Sequence, residues 1–366
     1  MPVGSVSRGT VQEGDLLHSV RVVFSMVLLG VLYTCAGTAY QSLQARRNKA
    51  ASKNGLVFHR LQRVGCQHDA RVAGMLARMD VLPTLLYGAC VWGAPTLRTP
   101  HAAMEHPMQT VLSVIPRAAM QLPASTGHWI VSLLSGMFPV QYYIARCFIR
   151  FWNRLCDGDG GTMVTDACVD AQLDLMRRGK PCWLRSWVRA FDRLLPGSNI
   201  VAALELGLAL DEDSILGTLE DRYTSELRRC GDHRDVACPN RRTAFVFGVV
   251  HSHLGRVPDF QCWRLPRALR RPWWQFASAQ AALPVHALRR RRVPFSARLC
   301  VKCGSGEVGD EEHALLSCPA TQSIRSAYSA ALSFRGDMSL ATFLNVNRRV
   351  LDLPYFVVDI LNVFSS

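Results

Sequence analysis

Four side chains suited to binding a soft metal ion lie within nineteen residues near the carboxyl end of this 366-residue chain. They form the pattern Cys-x2-Cys-x9-His-x4-Cys and are Cys300, Cys303, His313 and Cys318. A Cys-x2-Cys pair can present two thiolates to one ion from a tight turn, and Gly304 supplies the backbone freedom of that turn. The pattern therefore predicts a compact loop organised by a metal, which we name the knuckle (residues 300–318).

The ligand types predict both the metal and its role. Three sulfurs and one imidazole favour zinc over magnesium or calcium. Four protein ligands leave no coordination position for a catalytic water, so the predicted zinc is structural. We expect His313 and Cys318 on a short helix that begins around Asp310 to Glu312 and ends at Pro319. Chance spacing among thirteen cysteines is the alternative.

Composition indicates a folded, basic protein of a reducing compartment. Hydrophobic residues make up 49% of the chain, and 42 Lys+Arg against 28 Asp+Glu give a net charge of +14. Such a balance favours a polyanionic partner, either nucleic acid or an anionic membrane surface. The sequence has no Asn-x-Ser/Thr sequon and no cleavable signal pattern, so its cysteines do not indicate a secreted disulfide scaffold. We expect a nuclear or cytoplasmic location.

A charge-free run from Val22 to Tyr40 has two interpretations. Its nineteen residues are long enough to cross a bilayer as a helix, which makes a membrane anchor the alternative. Its glycines and β-branched residues instead favour buried strands, and we predict a short β-hairpin near Val22 to Thr38. Membrane association is therefore not expected.

Helical spacing of apolar residues dominates from residue 41 to 156, with breaks at prolines. Within this region we predict a helix through Leu85 and Tyr87 that packs Trp92 against the core. Arginines at positions 146, 150 and 154 recur every four residues and share one helix face, which suits either phosphate contact or simple solvation.

Residues 264–298 hold nine arginines and no acidic residue. Guanidinium groups can follow a phosphate backbone while flat aromatic rings stack on exposed bases. We therefore predict nucleic-acid contact, RNA or DNA, through Arg264, Arg267, Arg270, Arg271, Trp273, Trp274, Arg289, Arg290, Arg291, Arg292 and Arg298. The alternative is that the tryptophans belong to the core and Arg289 to Arg292 form a nuclear import signal.

The segment Val81 to Trp92 resembles the "LP-x-LLYG-x-x-x-W" segment that follows the palm in non-LTR (LINE-type) retrotransposon reverse transcriptases. Leu29-Gly30-Val31 is similar to the family's "YLGV" strand, with Leu28 in place of the usual aromatic residue. Further positions are similar to the family's "LE-x-x-x-Q … G-x-x-P … R" progression, with Met104 in place of the leucine: Glu105, Gln109, Gly136, Pro139 and Arg146.

The knuckle carries the same resemblance at the other end of the chain. Arg298 through Pro319 is similar to the family's "R-x-C-x-x-C … DEEH-x-L-x-x-CP" pattern, and Arg325 follows on the next helix. The resemblance covers both flanks well and residues 160–260 poorly. It implies an ancestor that was an RNA-directed DNA polymerase.

A missing motif separates this chain from an active polymerase of that family. Such enzymes hold their metal ions with carboxylates that include an adjacent Asp-Asp pair, and no Asp-Asp dipeptide occurs in this sequence. The resemblance begins at the last strand of the palm, so we expect the catalytic part to lie upstream of Met1. The chain is therefore predicted to be inactive as a polymerase on its own.

Together these observations predict a mainly α-helical protein. Four regions are expected: residual palm strands in 1–40, a helical thumb-like block in 41–156, a helical connector in 157–263, and the Arg-rich segment, knuckle and C-terminal helices in 264–366. The predicted function is zinc-dependent nucleic-acid binding, with no small-molecule substrate. The alternatives are a zinc-stabilised protein-interaction module, a membrane protein anchored by residues 22–40, and a decayed element copy without function.

Overall fold

Helices make up most of the protein, which confirms the prediction of a mainly α-helical chain. The structure is a computed structural model, and it describes residues 7–13, 16–22, 25–28, 31–34, 40–98, 106–156, 163–232, 254–255, 265–336 and 338–365.

Four short strands precede the helices: β1 (Ser7–Glu13), β2 (Leu16–Val22), β3 (Ser25–Leu28) and β4 (Val31–Thr34). Strand β1 pairs antiparallel with β2, and β3 pairs antiparallel with β4 so that Ser25 lies opposite Thr34. The charge-free run Val22 to Tyr40 thus contains two strands, and its residues 23–24, 29–30 and 35–39 lie outside the described residues. Among the helices that the structure describes, none combines the length and the apolar character that crossing a bilayer requires.

Sixteen α-helices are described in the rest of the chain. The first seven are α1 (Tyr40–Arg63), α2 (Ala70–Leu76), α3 (Leu82–Leu86), α4 (Ala89–Trp92), α5 (Pro107–Ala119), α6 (His128–Ser135) and α7 (Val140–Cys156). The others are α8 (Met163–Arg177), α9 (Trp183–Leu194), α10 (Ile200–Glu205), α11 (Glu212–Asp232), α12 (Arg267–Ala277), α13 (Pro284–Arg290), α14 (Gln322–Tyr328), α15 (Leu340–Asn347) and α16 (Leu353–Ser365). Shorter π-helical turns occupy Ala77–Val81 and His313–Ser317, and 3-10 turns occupy Ala94–Thr96, Phe295–Ala297 and Pro319–Thr321.

Two compact units make up the chain, each assembled from segments that are separate in the sequence. The first unit contains Met1–Lys53, Asp80–Thr99 and Val140–Leu216. The second unit contains Asn54–Met79, Pro100–Pro139 and Gly217–Ser366, and therefore includes the knuckle.

Aromatic side chains from α7 and α9 form the core of the first unit. Phe148 stacks on Trp187 with ring centroids 4.0 Å apart. The indole N–H groups of Trp183 and Trp187 both donate to the carbonyl oxygen of Cys90, at 2.7 and 2.9 Å. Each such bond contributes about 1 kcal/mol net, so the pair helps to hold α9 against α4 and gives both indole N–H groups a partner.

The helix predicted through Leu85 and Tyr87 ends one residue early. Helix α3 stops at Leu86 because Gly88 adopts a left-handed conformation, with φ +71°, before α4 begins. Leu85 and Trp92 are buried, and the indole of Trp92 donates to the carbonyl of Tyr87 at 3.0 Å. Trp92 therefore lies in the core as predicted.

The second unit combines α2, α5 and α6 with the C-terminal helices. Asp69 caps α2 by accepting hydrogen bonds from two backbone N–H groups, and the α2 and α5 helices pack together. Helix α12 packs on α16. Tyr328, Phe334, Phe343 and Phe356 form an aromatic cluster with neighbouring ring centroids 5.1 to 5.7 Å apart. This cluster gives the helices around the knuckle a common apolar core.

Candidate metal centre

A small antiparallel ladder supports the first pair of cysteines. Leu299 pairs with Val308, the backbone N–H of Cys300 donates to the carbonyl of Glu307 at 2.8 Å, and that of Gly309 donates to Arg298 at 2.9 Å. The chain between Cys303 and Glu307 turns through two glycines of positive φ, residues 304 and 306. This turn projects Cys300 and Cys303 towards the same point.

The short helix expected from around Asp310 to Pro319 includes a π-helical turn, His313–Ser317, which carries His313 and is followed directly by Cys318. The carboxylate of Asp310 accepts a hydrogen bond from the backbone N–H of His313 at 2.9 Å and so caps the turn. The N–H of Cys318 then donates to the carbonyl of His313 at 2.7 Å, a bond that spans five residues. One wide turn therefore separates the two ligands and returns Cys318 to the side on which His313 lies.

The four predicted ligands meet in space. Their candidate donor atoms all lie within 4.8 Å of one another. The Sγ atoms of Cys300 and Cys318 are 3.8 Å apart, and the Sγ of Cys303 is 3.3 Å from Nε2 of His313. Such separations leave room at the centre for one ion that contacts all four atoms.

The thiols of the cluster differ in their surroundings. Cys318 is fully buried, and burial raises the pKa of its thiol to about 12. Cys303 is only partly buried, and its contact with the Ser305 hydroxyl, 3.1 Å from Sγ, lowers the pKa of its thiol to about 6. A cation is the usual means by which a cluster of thiols becomes a cluster of thiolates.

The cluster can therefore hold a metal ion. No protein-family model, curated protein or solved structure matches this chain. The donor atoms and their immediate surroundings are thus the basis on which a function is proposed below.

Arg325 supports Cys318 from the following helix. Its guanidinium donates to the carbonyl oxygen of Cys318 at 2.8 Å and to the hydroxyl of Thr321 at 2.6 Å, and the side chain is buried. Thr321 in turn donates to the carbonyl of Ala314 at 2.9 Å. These bonds tie the last ligand to both ends of the π-helical turn.

A buried histidine–carboxylate contact also supports the knuckle from α13. Nε2 of His286 lies 2.5 Å from a carboxylate oxygen of Glu311, and both side chains are buried. The neighbouring N–H of Val285 donates to the carbonyl of Gly309 at 3.1 Å. Helix α13 is therefore joined to the segment that immediately precedes His313.

The nine arginines predicted to contact nucleic acid fall into three groups. Arg264 lies outside the described residues, and only the backbone of Arg267 and Arg290 is described. Three arginines have their side chains exposed: Arg271, Arg291 and Arg292. The remaining arginines are held by or against the fold: Arg270, Arg289 and Arg298.

Arg298 in particular has a structural role. Its Nε donates to the carbonyl of Val293 at 2.8 Å, and one terminal nitrogen donates to that of Val285 at 3.1 Å. Arg270 likewise donates from Nε to the carbonyl of Leu265 at 2.8 Å, and a terminal nitrogen of Arg289 is buried. These three guanidinium groups present less of their charge to solvent than the sequence suggests.

The positions of Trp273 and Trp274 differ from those expected of side chains that stack on nucleobases. They are only 2% and 4% exposed, and Trp273 packs against Phe276 with ring centroids 5.9 Å apart. Stacking on a nucleobase needs an exposed ring face. The sequence left open whether these indoles belong to the core, and their burial agrees with that alternative. They are not part of the cationic residues considered below.

The arginine stripe of α7 is engaged within the first unit. Glu212 receives hydrogen bonds from Nε of Arg146 at 2.9 Å and from Nε of Arg150 at 2.8 Å. Burial alone would raise the pKa of the Glu212 carboxyl, but these two arginines outweigh it and lower that pKa. The stripe is thus partly neutralised by a protein carboxylate.

Sequence reasoning assigned no role to the residues that support the candidate ligands, although the resemblance included Arg325. Ser305, Glu307 and Arg325 contact Cys303, His313 and Cys318, respectively. Their polar character inside or just after a ligand loop was the available signal. The glycines at positions 304, 306 and 309 were explained as turn residues. Ser305 and Glu307 lie between them, and no role was predicted for either.

Proposed function

We propose that this protein is a nucleic-acid-binding module organised by a structural zinc ion. The observation that carries the proposal is the convergence of Cys300, Cys303, His313 and Cys318, with all four donor atoms within 4.8 Å of one another. Their ligand types, three sulfurs and one imidazole, are those of closed structural zinc sites.

The distances within the cluster suit a tetrahedral zinc ion. Zn–S bonds of about 2.3 Å and Zn–N bonds of about 2.0–2.1 Å place tetrahedral sulfurs about 3.8 Å apart, and sulfur and nitrogen about 3.6 Å apart. The corresponding separations are 3.8 Å for Cys300 and Cys318 and 3.3 Å for Cys303 and His313. Four protein ligands complete the shell, which supports a role in folding rather than catalysis.

Exposed cations near the knuckle in the sequence support a polyanionic partner. Arg291 and Arg292 lie a few residues before the first candidate ligand, Cys300, and Lys302 lies between the first two; all three cationic side chains are exposed. The knuckle fixes the backbone that carries Lys302, and the Arg298 bond to Val293 links it to the preceding pair of arginines. Exposed cations of this kind suit phosphate groups, and the net charge of +14 favours the approach of a polyanion.

We further propose that the chain derives from the region after the palm of a non-LTR retrotransposon reverse transcriptase. The resemblance supports this origin, and several of its residues have clear physical roles here. Gly88 supplies a left-handed turn, Trp92 fills the core, and Arg325 holds the Cys318 carbonyl. Without the Asp-Asp pair, the proposed activity is binding and not polymerisation.

Zinc content and the salt dependence of binding test the proposal together. The purified full-length chain should carry one zinc ion per molecule, and a Cys300→Ser/His313→Ala double variant should lose it. Affinity for a labelled oligonucleotide should fall with salt, with a log–log slope of about −3 if roughly four cations contact phosphates. The slope should weaken by about 1.5 in Arg291→Ala/Arg292→Ala and stay unchanged in Arg189→Ala/Arg193→Ala, which removes two exposed arginines of α9.

Two results would contradict the proposal. A chain without stoichiometric zinc, whose double variant keeps its fold, would exclude the metal centre. A zinc-loaded chain without salt-dependent oligonucleotide binding would exclude the nucleic-acid partner.

The second candidate is a zinc-stabilised protein-interaction module. It is favoured by the apolar side chains on the outer side of the knuckle, since Val301 is 77% exposed and Leu299 is 41% exposed. Apolar groups held on a rigid turn are typical of a protein contact. A partner bound in this way should depend on Val301 and respond little to salt.

A further inference from the structure

The loop between the second and third ligands contacts the metal centre with side chains that are not ligands. The hydroxyl oxygen of Ser305 lies 3.1 Å from Sγ of Cys303. A carboxylate oxygen of Glu307 lies 2.6 Å from Nδ1 of His313. The side chains of this loop thus touch two of the four candidate ligands.

The two ring nitrogens of His313 face different groups. Nε2 lies 3.3 Å from Sγ of Cys303 and so points into the ligand cluster, whereas Nδ1 faces Glu307. A neutral imidazole carries one proton, and the nitrogen without it is the one that can bind a metal. An ionised carboxylate only accepts hydrogen bonds, so Glu307 holds the proton on Nδ1 and leaves the lone pair of Nε2 towards the cluster.

Ser317 is the other group near Nδ1, and it is a weaker candidate for this role. Its hydroxyl oxygen is 3.3 Å away, which is longer than the 2.6 Å to Glu307. A hydroxyl can also donate or accept, so it does not select which nitrogen carries the proton. The tautomer of His313 therefore depends mainly on Glu307.

The backbone of Glu307 is fixed even though its side chain is 60% exposed. Its carbonyl accepts the 2.8 Å hydrogen bond from Cys300, and its N–H donates to the Ser305 hydroxyl at 3.3 Å. The residue is therefore held by the first ligand while its carboxylate reaches the third.

We propose that Glu307 is a positioning residue of the metal centre, which sets the tautomer and orientation of His313 without binding the ion. This inference rests on the proposed metal site. Under this inference, the loop between Cys303 and His313 both forms the turn and contributes to metal affinity.

Zinc affinity of the full-length chain, measured by competition with a chromophoric chelator, tests the role of Glu307. Glu307→Ala should bind zinc about 10- to 100-fold more weakly than the wild type. Glu307→Gln, which keeps an acceptor oxygen, should recover part of that loss. Glu205→Ala, which removes an exposed carboxylate of α10, is the matched control and should bind as the wild type does. Ser317→Ala should lose little affinity.

A second measurement separates positioning from a general effect on the fold. In zinc-loaded wild-type protein, nitrogen–proton NMR correlations of the His313 ring should show a protonated Nδ1 in slow exchange with water. In Glu307→Ala that proton should exchange faster. A wild type that binds no zinc would overturn the metal centre itself. Tight zinc binding in the wild type, with the same affinity and ring exchange in Glu307→Ala, would overturn only the role of Glu307.

Discussion

Replacement of Gly309 by alanine should weaken the metal centre through a steric contact that the structure locates. A Cβ atom added at Gly309 would lie 2.7 and 2.9 Å from Cγ and Cβ of Pro284 and 3.1 Å from Cα of Cys300. Neither neighbour is the far end of a flexible side chain, since one is a buried ring at the start of α13 and the other is the backbone of a ligand. The added methyl group must therefore displace α13 or Cys300.

Overpacking of this kind typically costs about 1–3 kcal/mol. If the strain falls on the metal-bound state and the metal-free knuckle can relax, this cost lowers zinc affinity by about 5- to 150-fold, because about 1.4 kcal/mol corresponds to a factor of ten. Gly309 also exchanges backbone hydrogen bonds with Arg298 and Val285 at 2.9 and 3.1 Å, so a shift would lengthen bonds on both sides of the ladder.

Chelator competition and thermal unfolding of the full-length chain measure the effect. Gly336→Ala is the matched control, because a Cβ at Gly336 would meet no atom within 4 Å. Gly309→Ala should lose affinity and unfold at a lower temperature, whereas Gly336→Ala should behave as the wild type. If both variants retained wild-type affinity and melting temperature, the packing of Pro284 against the knuckle would be wrong.

Three further changes have expected outcomes. Arg325→Lys should destabilise the second unit by about 2 kcal/mol, because one ammonium group cannot replace the two guanidinium hydrogen bonds that hold the π-helical turn. The urea midpoint should fall, and an unchanged midpoint would contradict this role. Gly93→Ala should destabilise the first unit, since its Cβ would lie 2.6 Å from Cγ2 of Ile144, and an unchanged melting temperature would exclude that contact. The lowered pKa of Glu212 predicts that its contribution to the free energy of unfolding is present above pH 4.5 and lost as pH falls further. Glu212→Gln should therefore make the urea midpoint less sensitive to acid. Equal acid sensitivity in both proteins would refute the pairing with Arg150.

The convergence of the four candidate ligands could be anticipated from the sequence because they are local. All four lie within residues 300–318, and the chemistry of sulfur and imidazole is independent of the fold around them. The groups that support them could not be predicted in the same way. The contact of Glu307 with His313 and that of Arg325 with Cys318 depend on side-chain direction, which residue spacing alone does not specify.

In the Arg-rich segment, composition alone was insufficient to predict which side chains are exposed. Helix α12 carries arginines and aromatic residues together, and Leu269, Trp273 and Phe276 are buried at helical spacing while Arg271 is exposed. That spacing was a signal for one apolar face, and it indicates which ring positions belong to the core. A count of arginines and tryptophans does not distinguish the two faces.

The charge-free run near the amino end was ambiguous for a different reason. Its β-branched residues favour strands, and β3 and β4 lie within it. A short apolar segment can be a strand or a buried helix, and periodicity alone does not separate the two. The pairing of Cys90 with two indoles 93 and 97 residues away was likewise beyond local pattern.

The π-helical turn makes the length of the His313 to Cys318 interval intolerant of change. Deleting one residue from this interval would favour an ordinary α-turn and rotate the last thiol away from the other three ligands. Ala314 and Leu315 inside the interval are also buried, so an insertion would have to displace apolar side chains as well as the thiol. Related sequences that keep this centre should therefore vary in the residues between the histidine and the cysteine but preserve their number.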